Sequence, residues 1–436
     1  MISRDSCAAR DAADALAPLR SLFALERVDA EGVIYLDGNS LGVLPAATPA
    51  RIREVAETEW GQGLIRSWNT AGWITLSQRI ADKIARLVGA GSGEIAVADS
   101  TSVNLHKVLS SAIAIALRAS ADTKDPAAPI VLSERTNFPT DLYIADTVAK
   151  QHGFELVLMD DVDVASHLNE RVAIVMLTHV NYRTGYMHDM AAVTRATHDA
   201  GAIVIWDLAH SAGAVPVNLY GGHAKEAADF AVGCGYKYLN GGPGAPAFAW
   251  AHPQHTAWMD RERFRQPLSG WLGHSAPFAF SPDYEPAAGI ARFVCGTPPV
   301  ISLAALECGV DTVLAAETVG GIAAIREKSI ALTQLFIDLV EQRCAGRDLT
   351  LASPRAASNR GSQVSFAHPT HGYQIMQALI ARGVIGDFRA PDLLRFGFTP
   401  LYTRFVDVWD AVERLRGVLE RGEWRDARFS VRAAVT

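Results

Sequence analysis

A lysine that follows an apolar run is the residue of this chain best placed for covalent chemistry. The segment Phe230–Gly244 reads FAVGCGYKYLNGGPG, in which a run of strand character leads to Tyr236 and Lys237 and then to a Gly-rich turn. A lysine among aromatic and small residues, with no carboxylate beside it in sequence, is partly desolvated, which favours the neutral amine and imine formation with an aldehyde. An ordinary surface lysine before a loop fits the same segment.

Two earlier segments place hydroxyl and aromatic side chains after predicted strands. Asp99–Asn104 (DSTSVN) precedes the helical pattern Leu105–Leu117. Thr101 and Ser102, with the free N–H groups of a helix N-terminus, therefore suit a phosphate group, and a plain Ser/Thr cap is the alternative. In NFPTD, Phe138 suits stacking on a flat cofactor ring, and the alternative is a buried phenylalanine at a helix start.

An aspartate directly follows the apolar run Ala202–Trp206. A carboxylate at the end of a buried strand is costly unless it is paired, so Asp207 is a candidate partner for a protonated pyridine nitrogen. His210 reaches the same ligand if the chain turns there. A metal pair is the rival interpretation, but no third ligand stands at a suitable spacing, and we predict no metal site. We interpret His179 as a loop histidine with satisfied hydrogen bonds.

The elements that position these groups are short apolar runs alternating with helical patterns. This alternation predicts a mostly parallel sheet covered by helices. Ligands of such sheets bind at the carboxyl ends of the strands, where the candidate residues lie. The predicted strands are Ile95–Ala98, Ile130–Leu132, Leu156–Leu158, Val172–Leu177, Ala202–Trp206, Phe230–Val232 and Pro246–Trp250.

In chain order, a phosphate cup, a stacking aromatic, an acidic strand end and a lysine meet the needs of pyridoxal 5′-phosphate. That cofactor requires hydroxyl and N–H groups for its phosphate, a carboxylate for its ring nitrogen and a lysine for its aldehyde. A dinucleotide is not indicated, because no GxGxxG follows the early strands and GxxxxGK[ST] is absent.

Composition limits the class of protein. The chain has 436 residues, 49% hydrophobic and 20% charged, with a net charge of −7, and these values predict a soluble protein of two or three domains. No basic run or stripe favours nucleic acid or an anionic membrane as a partner. The five cysteines are scattered without a CxxC pair, and the N-terminus has no signal-peptide pattern, so we expect a cytoplasmic protein.

Flanking segments complete the predicted organisation. We divide the chain into an N-terminal arm (1–45), a large cofactor-binding domain (46–302) and a small C-terminal domain (303–436). In the arm, VIYLDGNSLG contains Asn39 and Ser40, which either bind ligand or build the turn. The large domain begins with helical patterns at Ile52–Trp60 and Leu76–Val88, separated by a loop over Gly61–Trp73.

The small domain is predicted as an α+β unit that covers the site. Helical patterns at Val310–Arg343 and Phe405–Glu420 flank three strand candidates, which are Gln363–Ala367, Val384–Phe388 and Leu394–Phe398. Arg395 lies among apolar neighbours, where a guanidinium is a suitable partner for a substrate carboxylate. A charge on the solvent face of the strand is the alternative.

The order of the motifs resembles that of the kynureninase family of pyridoxal-phosphate enzymes, from about Tyr35 to Phe405. The similar segments are YLDGNSLG, DSTSVNLHK, NFPTD, WDLAHSAG, GYKYLNGGPG, GWLGH and GTPP. The resemblance implies an α/β fold, the pyridoxal-phosphate-dependent transferase fold (fold type I) of aspartate aminotransferase and cysteine desulfurases. It implies a mostly parallel seven-stranded sheet in the large domain and a smaller α+β C-terminal domain.

The resemblance also implies residue roles. Lys237 would bind the cofactor aldehyde, and Tyr236 is either an acid-base group or only a phosphate contact. The implied cofactor contacts are Thr101, Ser102, Phe138, Asp141, Thr178, Asp207, His210, Tyr236, Lys237, Trp271 and Thr297, with the last two supplied by the other subunit of a homodimer. The implied substrate contacts are Arg395, Asn39, Ser40 and Trp68.

The implied reaction is hydrolysis of L-kynurenine to anthranilate and L-alanine in tryptophan catabolism, with 3-hydroxykynurenine as a second possible substrate. A cysteine desulfurase is the nearest rival, although no cysteine lies in a Ser/Gly-rich flexible loop. A scaffold without cofactor is a rival of another class, which the presence of both Lys237 and Asp207 disfavours.

Overall fold

The seven apolar runs predicted as strands between residues 95 and 251 form one sheet in the computed structural model, which describes residues 2–119 and 128–432. Strands β1 to β13 are Ile34–Tyr35, Ile95–Val97, Ile130–Glu134, Glu155–Met159, Val172–Thr178, Ile203–Asp207, Phe230–Gly233, Phe248–Ala251, Thr350–Leu351, Gln363–Ala367, Val384–Ile385, Asp387–Arg389 and Leu393–Gly397. The large sheet has the order β2-β8-β7-β6-β5-β3-β4, and only β8 runs antiparallel to its neighbours. The mostly parallel seven-stranded sheet is thus confirmed.

Helices cover both faces of this sheet. Helices α1 to α14 are Arg4–Ala12, Glu26–Ala30, Thr48–Glu54, Ser67–Thr70, Trp73–Val88, Thr101–Ala119, Pro139–Gln151, Val164–His167, Met190–Asp199, Pro253–Arg261, Val300–Leu314, Gly321–Arg343, Gly372–Ala381 and Phe405–Arg421. Side chains alternate along the strands, so Ile174 and Met176 pack with α6 and α7, whereas Val175 and Leu177 pack with α5 and α11. Burial on both faces explains why the strands read as continuous apolar runs.

The predicted loop over Gly61–Trp73 is wrong. A π-helix continues α3 over Val55–Gly63, and a 3₁₀ turn and α4 follow before α5 begins. The Ser67 hydroxyl donates to the Glu59 carbonyl at 2.5 Å, and Trp73 Nε1 donates to the Glu59 carboxylate at 2.6 Å. These bonds hold a Trp- and Gly-containing segment in helical form, although its composition is typical of a loop.

A second, four-stranded antiparallel sheet with the order β12-β13-β10-β9 packs against α12, α13 and α14. Its core centres on Phe336, whose ring lies 4.7 Å from that of Phe396 and 5.3 Å from that of Phe398. Cys7 of α1 and Leu36, next to β1, are buried in the same core, and β1 pairs with β11. The N-terminal and C-terminal segments therefore pack together, and the predicted domain limits stay a prediction. Within the described ranges, no helix is long and apolar enough to cross a bilayer.

Candidate active site

A cleft of about 120 Å³ opens at the carboxyl ends of the large sheet. The carboxyl ends of neighbouring parallel strands lie side by side, and a helix starts soon after several of them. Polar side chains that are distant in sequence therefore meet at the cleft. The residues that line it are Ser100, Thr101, Ser102, Phe138, Asp141, Thr178, Tyr182, Asp207, Ala209, His210, Tyr236 and Lys237. The structure thus brings together nine residues that the sequence singled out.

Lys237 is half-buried at one wall of the cleft. Its Nζ lies 5.9 Å from the centre of the Phe138 ring and 5.7 Å from that of Tyr236. The N-terminal turn supports this loop from behind, because the Gly42 N–H donates to the Tyr236 carbonyl at 2.8 Å. A Cβ at Gly42 would lie 2.5 Å from the Lys237 carbonyl oxygen, so the approach requires glycine. The lysine faces the cleft, and the alternative of an ordinary surface lysine is wrong.

Two carboxyl groups, those of Asp207 and Asp141, are buried side by side in the cleft. Asp207 Oδ1 accepts from the Ala209 N–H at 2.8 Å, and the Thr178 hydroxyl lies 3.5 Å from Oδ2. Burial raises the pKa of Asp207, while the Lys237 charge and the Ala209 N–H act in the opposite direction. Burial and then the Asp207 charge raise the pKa of Asp141 well above its usual range. The pKa of Asp141 is raised further than that of Asp207, so the proton of the pair resides preferentially on Asp141.

One oxygen of this pair has no protein partner. Asp141 Oδ2 is buried, and no hydrogen bond reaches it from the residues that the structure describes. An orphaned buried oxygen is rare unless a ligand or water satisfies it. The cleft therefore has the polarity of a site built for a bound group.

His210 is fully buried beside these carboxylates, and its orientation is fixed by Gln363 of β10. His210 Nδ1 donates to Gln363 Oε1 at 3.0 Å, and Gln363 Nε2 donates in turn to the Tyr182 carbonyl at 3.0 Å. Burial, followed by the charges of Lys237 and Arg395, lowers the pKa of His210 well below its usual range. The imidazole is therefore neutral, and Nε2 is left as an acceptor.

At the start of α6, one residue caps the helix and the next two line the cleft. Ser100 is the residue that caps the helix, since its Oγ accepts from the Val103 N–H at 3.3 Å. Thr101 and Ser102 line the cleft beside the unpaired N–H groups of the first turn. The predicted alternative of a plain Ser/Thr cap thus applies to Ser100. The positions of the next two residues favour an anion site.

Phe138 precedes α7 and is 42% exposed at the cleft. Its ring meets that of Tyr182 edge to face, with 5.3 Å between the centroids. The alternative of a buried phenylalanine is wrong, and one face of the ring is available to a ligand.

Arg395 is 1% exposed and lies on the rim of the site, so the solvent-face alternative is wrong. Its Nη1 donates to the Tyr182 carbonyl at 2.7 Å, and its Nη2 donates to the Ser40 hydroxyl at 2.7 Å. Asn39 lies beside it, with Nδ2 at 3.2 Å from Gln363 Oε1. Asn39 and Ser40 are thus part of the site surroundings as well as of a turn.

Six predicted site residues do not line the cleft: Asn39, Ser40 and Arg395 lie beside it, and the other three lie apart from it. Trp68 and Thr297 line a separate apolar cleft of about 420 Å³, together with Trp60 and Trp73. Trp271 is 37% exposed, and its ring packs edge to face on Phe278. None of these three is among the residues that line the cleft of Lys237.

The structure also adds residues that the sequence reading missed. Tyr182 was not singled out in the sequence, and Gln363 was predicted only as part of a strand. Asp387 and Arg389, which surround Arg395, alternate on a short strand and carried no motif. His179 is buried outside the cleft, with Nδ1 lacking a partner among the described residues, so its predicted role as a satisfied loop histidine is wrong.

The whole chain is similar in sequence to proteins of known function. The chain is 55% identical to the kynureninase of Burkholderia pseudomallei (strain K96243) over 439 residues, covering 100% of both chains. It belongs to the kynureninase family. The kynureninase of Pseudomonas fluorescens is 54% identical over the same length, and the family model of the kynureninase C-terminal domain matches residues 325–415.

Solved structures show the fold that this member of the kynureninase family shares. The cysteine desulfurase from Thermococcus onnurineus NA1 superposes with a TM-score of 0.75 at 19% identity, covering 93% of this chain and 98% of its own. The cystine C-S lyase C-DES gives a TM-score of 0.73 at 17% identity, covering 89% and 98%. The pyridoxal-phosphate transferase fold (fold type I) predicted from the sequence is confirmed, and the cofactor is pyridoxal 5′-phosphate.

Proposed function

We propose that this protein is a kynureninase that hydrolyses L-kynurenine to anthranilate and L-alanine, as a step of tryptophan catabolism. The observation that carries the proposal is the convergence of Lys237, the Asp141–Asp207 pair and the start of α6 on one cleft. The chemistry required is a cleavage between Cβ and the carbonyl carbon, which belongs to hydrolases of carbon–carbon bonds in ketones.

The residues of the cleft fit pyridoxal 5′-phosphate. We assign Lys237 to the aldehyde, Asp207 to the pyridine nitrogen, Phe138 to the ring face and Thr101 to the phosphate. The unsatisfied Asp141 Oδ2 and the free helix N–H groups supply the polarity that such a group needs. Further assigned contacts are Ser102, Asp141, Thr178, His210 and Tyr236. When bound, this cofactor serves as an electron sink for the substrate Cα.

Protein groups handle the protons. Among the residues lining the cleft, Lys237 carries the one amine, and we assign it as the base for the substrate α-proton. Burial, followed by the neighbouring Cys234 and Asp207, raises the pKa of Tyr236. Tyr236 therefore stays a phenol at neutral pH and acts as a proton donor near the substrate side-chain carbonyl.

Arg395 is the group that we assign to the substrate α-carboxylate. It is buried on the rim of the site, and its contacts with Ser40 and Tyr182 hold the guanidinium in place. A fixed guanidinium suits a carboxylate because its N–H groups match the carboxylate geometry. Asn39 and Ser40 support this end of the site.

A homodimer is part of the proposal, and an exposed apolar surface supports it. Ile65 is 77% exposed and Trp60 is 60% exposed, next to the cleft lined by Trp68 and Thr297. Apolar side chains this exposed are typical of a surface that a second chain covers. We propose that Trp68 helps to enclose the aniline ring of the substrate, and that the partner subunit receives Trp271 and Thr297 at its cofactor.

A cytoplasmic location is also proposed, and the cysteines support it. All five lie free in the described structure, without disulfides. The same cysteines argue against a desulfurase, since burial raises the pKa of each thiol. The likeness to desulfurase structures concerns the fold alone.

The deciding experiment measures the fluorescence of anthranilate released from L-kynurenine and of 3-hydroxyanthranilate released from its 3-hydroxy derivative by the purified protein. Anthranilate release that depends on pyridoxal phosphate supports the proposal, and the ratio of the two rates identifies the preferred ring. Sulfide release from cysteine without any anthranilate would contradict it. A protein that stays colourless after addition of pyridoxal phosphate would instead indicate a scaffold.

A further inference from the structure

A second arginine, Arg389, lies close to Arg395 on the neighbouring strand. Strands β12 and β13 are antiparallel, with Asp387 opposite Arg395, and Arg389 is two residues beyond Asp387 on the same face. The two guanidinium groups therefore stand on either side of one carboxylate.

Asp387 binds both arginines. Its Oδ1 accepts from Arg395 Nε at 2.7 Å, and its Oδ2 accepts from Arg389 Nη2 at 2.7 Å and from Arg395 Nη2. The Ser40 hydroxyl donates to Asp387 Oδ2 at 2.9 Å and accepts from both arginines, at 2.7 Å from Arg395 and 3.4 Å from Arg389. The result is a single network with two cations and one paired carboxylate, in which Arg395 and Asp387 are buried and the Arg389 side chain is 36% exposed.

Arg395 alone has too few free donors for a carboxylate. A guanidinium carries five N–H groups, and four of those of Arg395 are used by Asp387, Ser40 and the Tyr182 carbonyl. One N–H is left, whereas a carboxylate presents two oxygens and prefers two parallel donors. A second donor is needed at this point of the site.

Arg389 has the missing donor. Its Nε is buried and has no hydrogen-bond partner among the described residues. Its charge also acts on the cleft, since it contributes to the lowered pKa of His210 and opposes the raised pKa of Tyr236. The Arg389 guanidinium is therefore close enough to act on the cofactor-site residues, and its contacts with Ser40 and Asp387 join it to Arg395.

The network keeps a positive charge. Asp37 is the other carboxyl group beside it, and burial followed by the Asp387 charge raises the pKa of Asp37 to about 7. The raised pKa favours the neutral form of Asp37, which leaves Asp387 as the main counter-charge of the two arginines.

We propose that Arg389 is a second contact for the substrate α-carboxylate beside Arg395, and that Asp387 is a positioning residue that orients both guanidinium groups. This inference rests on the proposed kynureninase function. The carboxylate would accept from the free N–H of Arg395 with one oxygen and from Arg389 Nε with the other.

The test compares Arg389→Gln with wild type on L-kynurenine and on its α-carboxamide. We expect the KM for the acid to rise about tenfold, with kcat within about threefold and an unchanged KM for the amide. Arg389→Lys should recover only part of the affinity, since it lacks an Nε donor in that position. The matched control is Arg382→Gln, whose arginine pairs with Glu423 away from the cleft, and it should behave as wild type.

A binding measurement separates this inference from the proposed function. Titration of the holoenzyme with L-alanine, followed by its visible absorbance, should give a Kd about tenfold higher in Arg389→Gln than in wild type. A wild-type enzyme that binds L-alanine but releases no anthranilate would contradict the proposed function alone. A Kd and KM within twofold of wild type, or an equal rise in KM for the amide, would overturn the role of Arg389.

The positioning role of Asp387 is tested by Asp387→Asn. The KM for L-kynurenine should rise as in Arg389→Gln, and the double variant should be no worse than the worse single one. An unchanged KM would overturn the role of Asp387. Ser40→Ala perturbs the same network with a smaller change, so it gives the answer if the asparagine variant does not fold.

Discussion

Two buried aspartates on adjacent strands of the large sheet have opposite surroundings. Asp229 precedes β7 and accepts from the Val204 N–H at 2.8 Å, from His198 Nε2 at 2.8 Å and from His255 Nε2 at 2.6 Å. Asp207 lies at the opposite, carboxyl end of the strands, as the last residue of β6 and beside Asp141. It has one short hydrogen bond, from the Ala209 N–H. Both carboxylates are buried, but only the first accepts from two histidine rings, and the neighbour of the second, Asp141, has an oxygen without a partner among the described residues.

The pKa values of the two groups follow from this difference. The hydrogen bonds and charges of His198 and His255 outweigh the cost of burial and lower the pKa of Asp229 to about 2. At Asp207, burial dominates and raises the pKa. The carboxylate that stabilises the fold thus has a histidine donor on each oxygen, whereas the Asp207–Asp141 pair keeps one buried oxygen without a donor among the described residues.

The largest effect is expected at Lys237. Lys237→Ala should lower kcat for L-kynurenine by more than about 1,000-fold, because both the cofactor anchor and the proposed base are removed. Its stability should change little, since the side chain is only half-buried. Anthranilate fluorescence and thermal unfolding measure the two quantities, and more than a few per cent of residual activity would contradict the assignment.

The two aspartates should separate activity from stability. Asp207→Asn should reduce kcat by at least about 100-fold, because the ring nitrogen loses its anionic partner. The matched variant Asp229→Asn should keep its kcat per folded molecule but lose about 3 kcal/mol of stability, since two histidines lose their anionic partner. Urea unfolding of the apoproteins, with kinetics of the holoenzymes, compares them. A loss of kcat in Asp229→Asn, or a loss of stability without a loss of kcat in Asp207→Asn, would contradict these two roles.

Arg395 is expected to contribute both to substrate binding and to stability. Arg395→Ala should raise the KM for L-kynurenine by about 30-fold with a smaller change in kcat, since a carboxylate clamp acts on the ground state and the transition state alike. It should also lower stability by about 3 kcal/mol, because Asp387 stays buried with fewer partners. Steady-state kinetics and urea unfolding measure the two effects, and an unchanged KM would refute the assignment.

The sequence predicted the groups that lie directly at strand ends, because both signals are local. An apolar run identifies the strand, and the next polar residue, such as Asp207 or Thr101, then lies at the carboxyl edge. Gln363 could not be found in this way, since it reaches His210 from 153 residues away on another sheet. Asp387 and Arg389 were missed because their role depends on strand pairing with β13.

The errors in the predicted elements have a similar cause. The segment 61–73 has the glycines and tryptophans of a loop, yet hydrogen bonds to Glu59 keep it helical. The Asp229 cluster also joins residues 25 to 31 positions apart, so no motif marks it. Tertiary contacts decide both cases, and local patterns cannot show them.

The smallest expected effect is on the pH dependence of stability, and it arises at Asp229. The pKa of Asp229 lies at about 2 in the folded protein and near 3.8 when exposed, so its contribution is present above pH 3.8 and is lost as the pH falls toward 2. A difference of this size corresponds to about 2 kcal/mol. Asp229→Asn should therefore remove part of the acid sensitivity of unfolding between pH 4 and pH 2.

The histidine partner gives the opposite dependence on the alkaline side. The Asp229 hydrogen bond, as the largest cause, raises the pKa of His198, so that contribution is complete below pH 6.5 and is lost as the pH rises through the raised value. Thermal midpoints of wild type and Asp229→Asn, measured from pH 3 to pH 9, should therefore differ most between about pH 4 and pH 6. A constant difference across that range would show that the pair contributes through packing and not through charge.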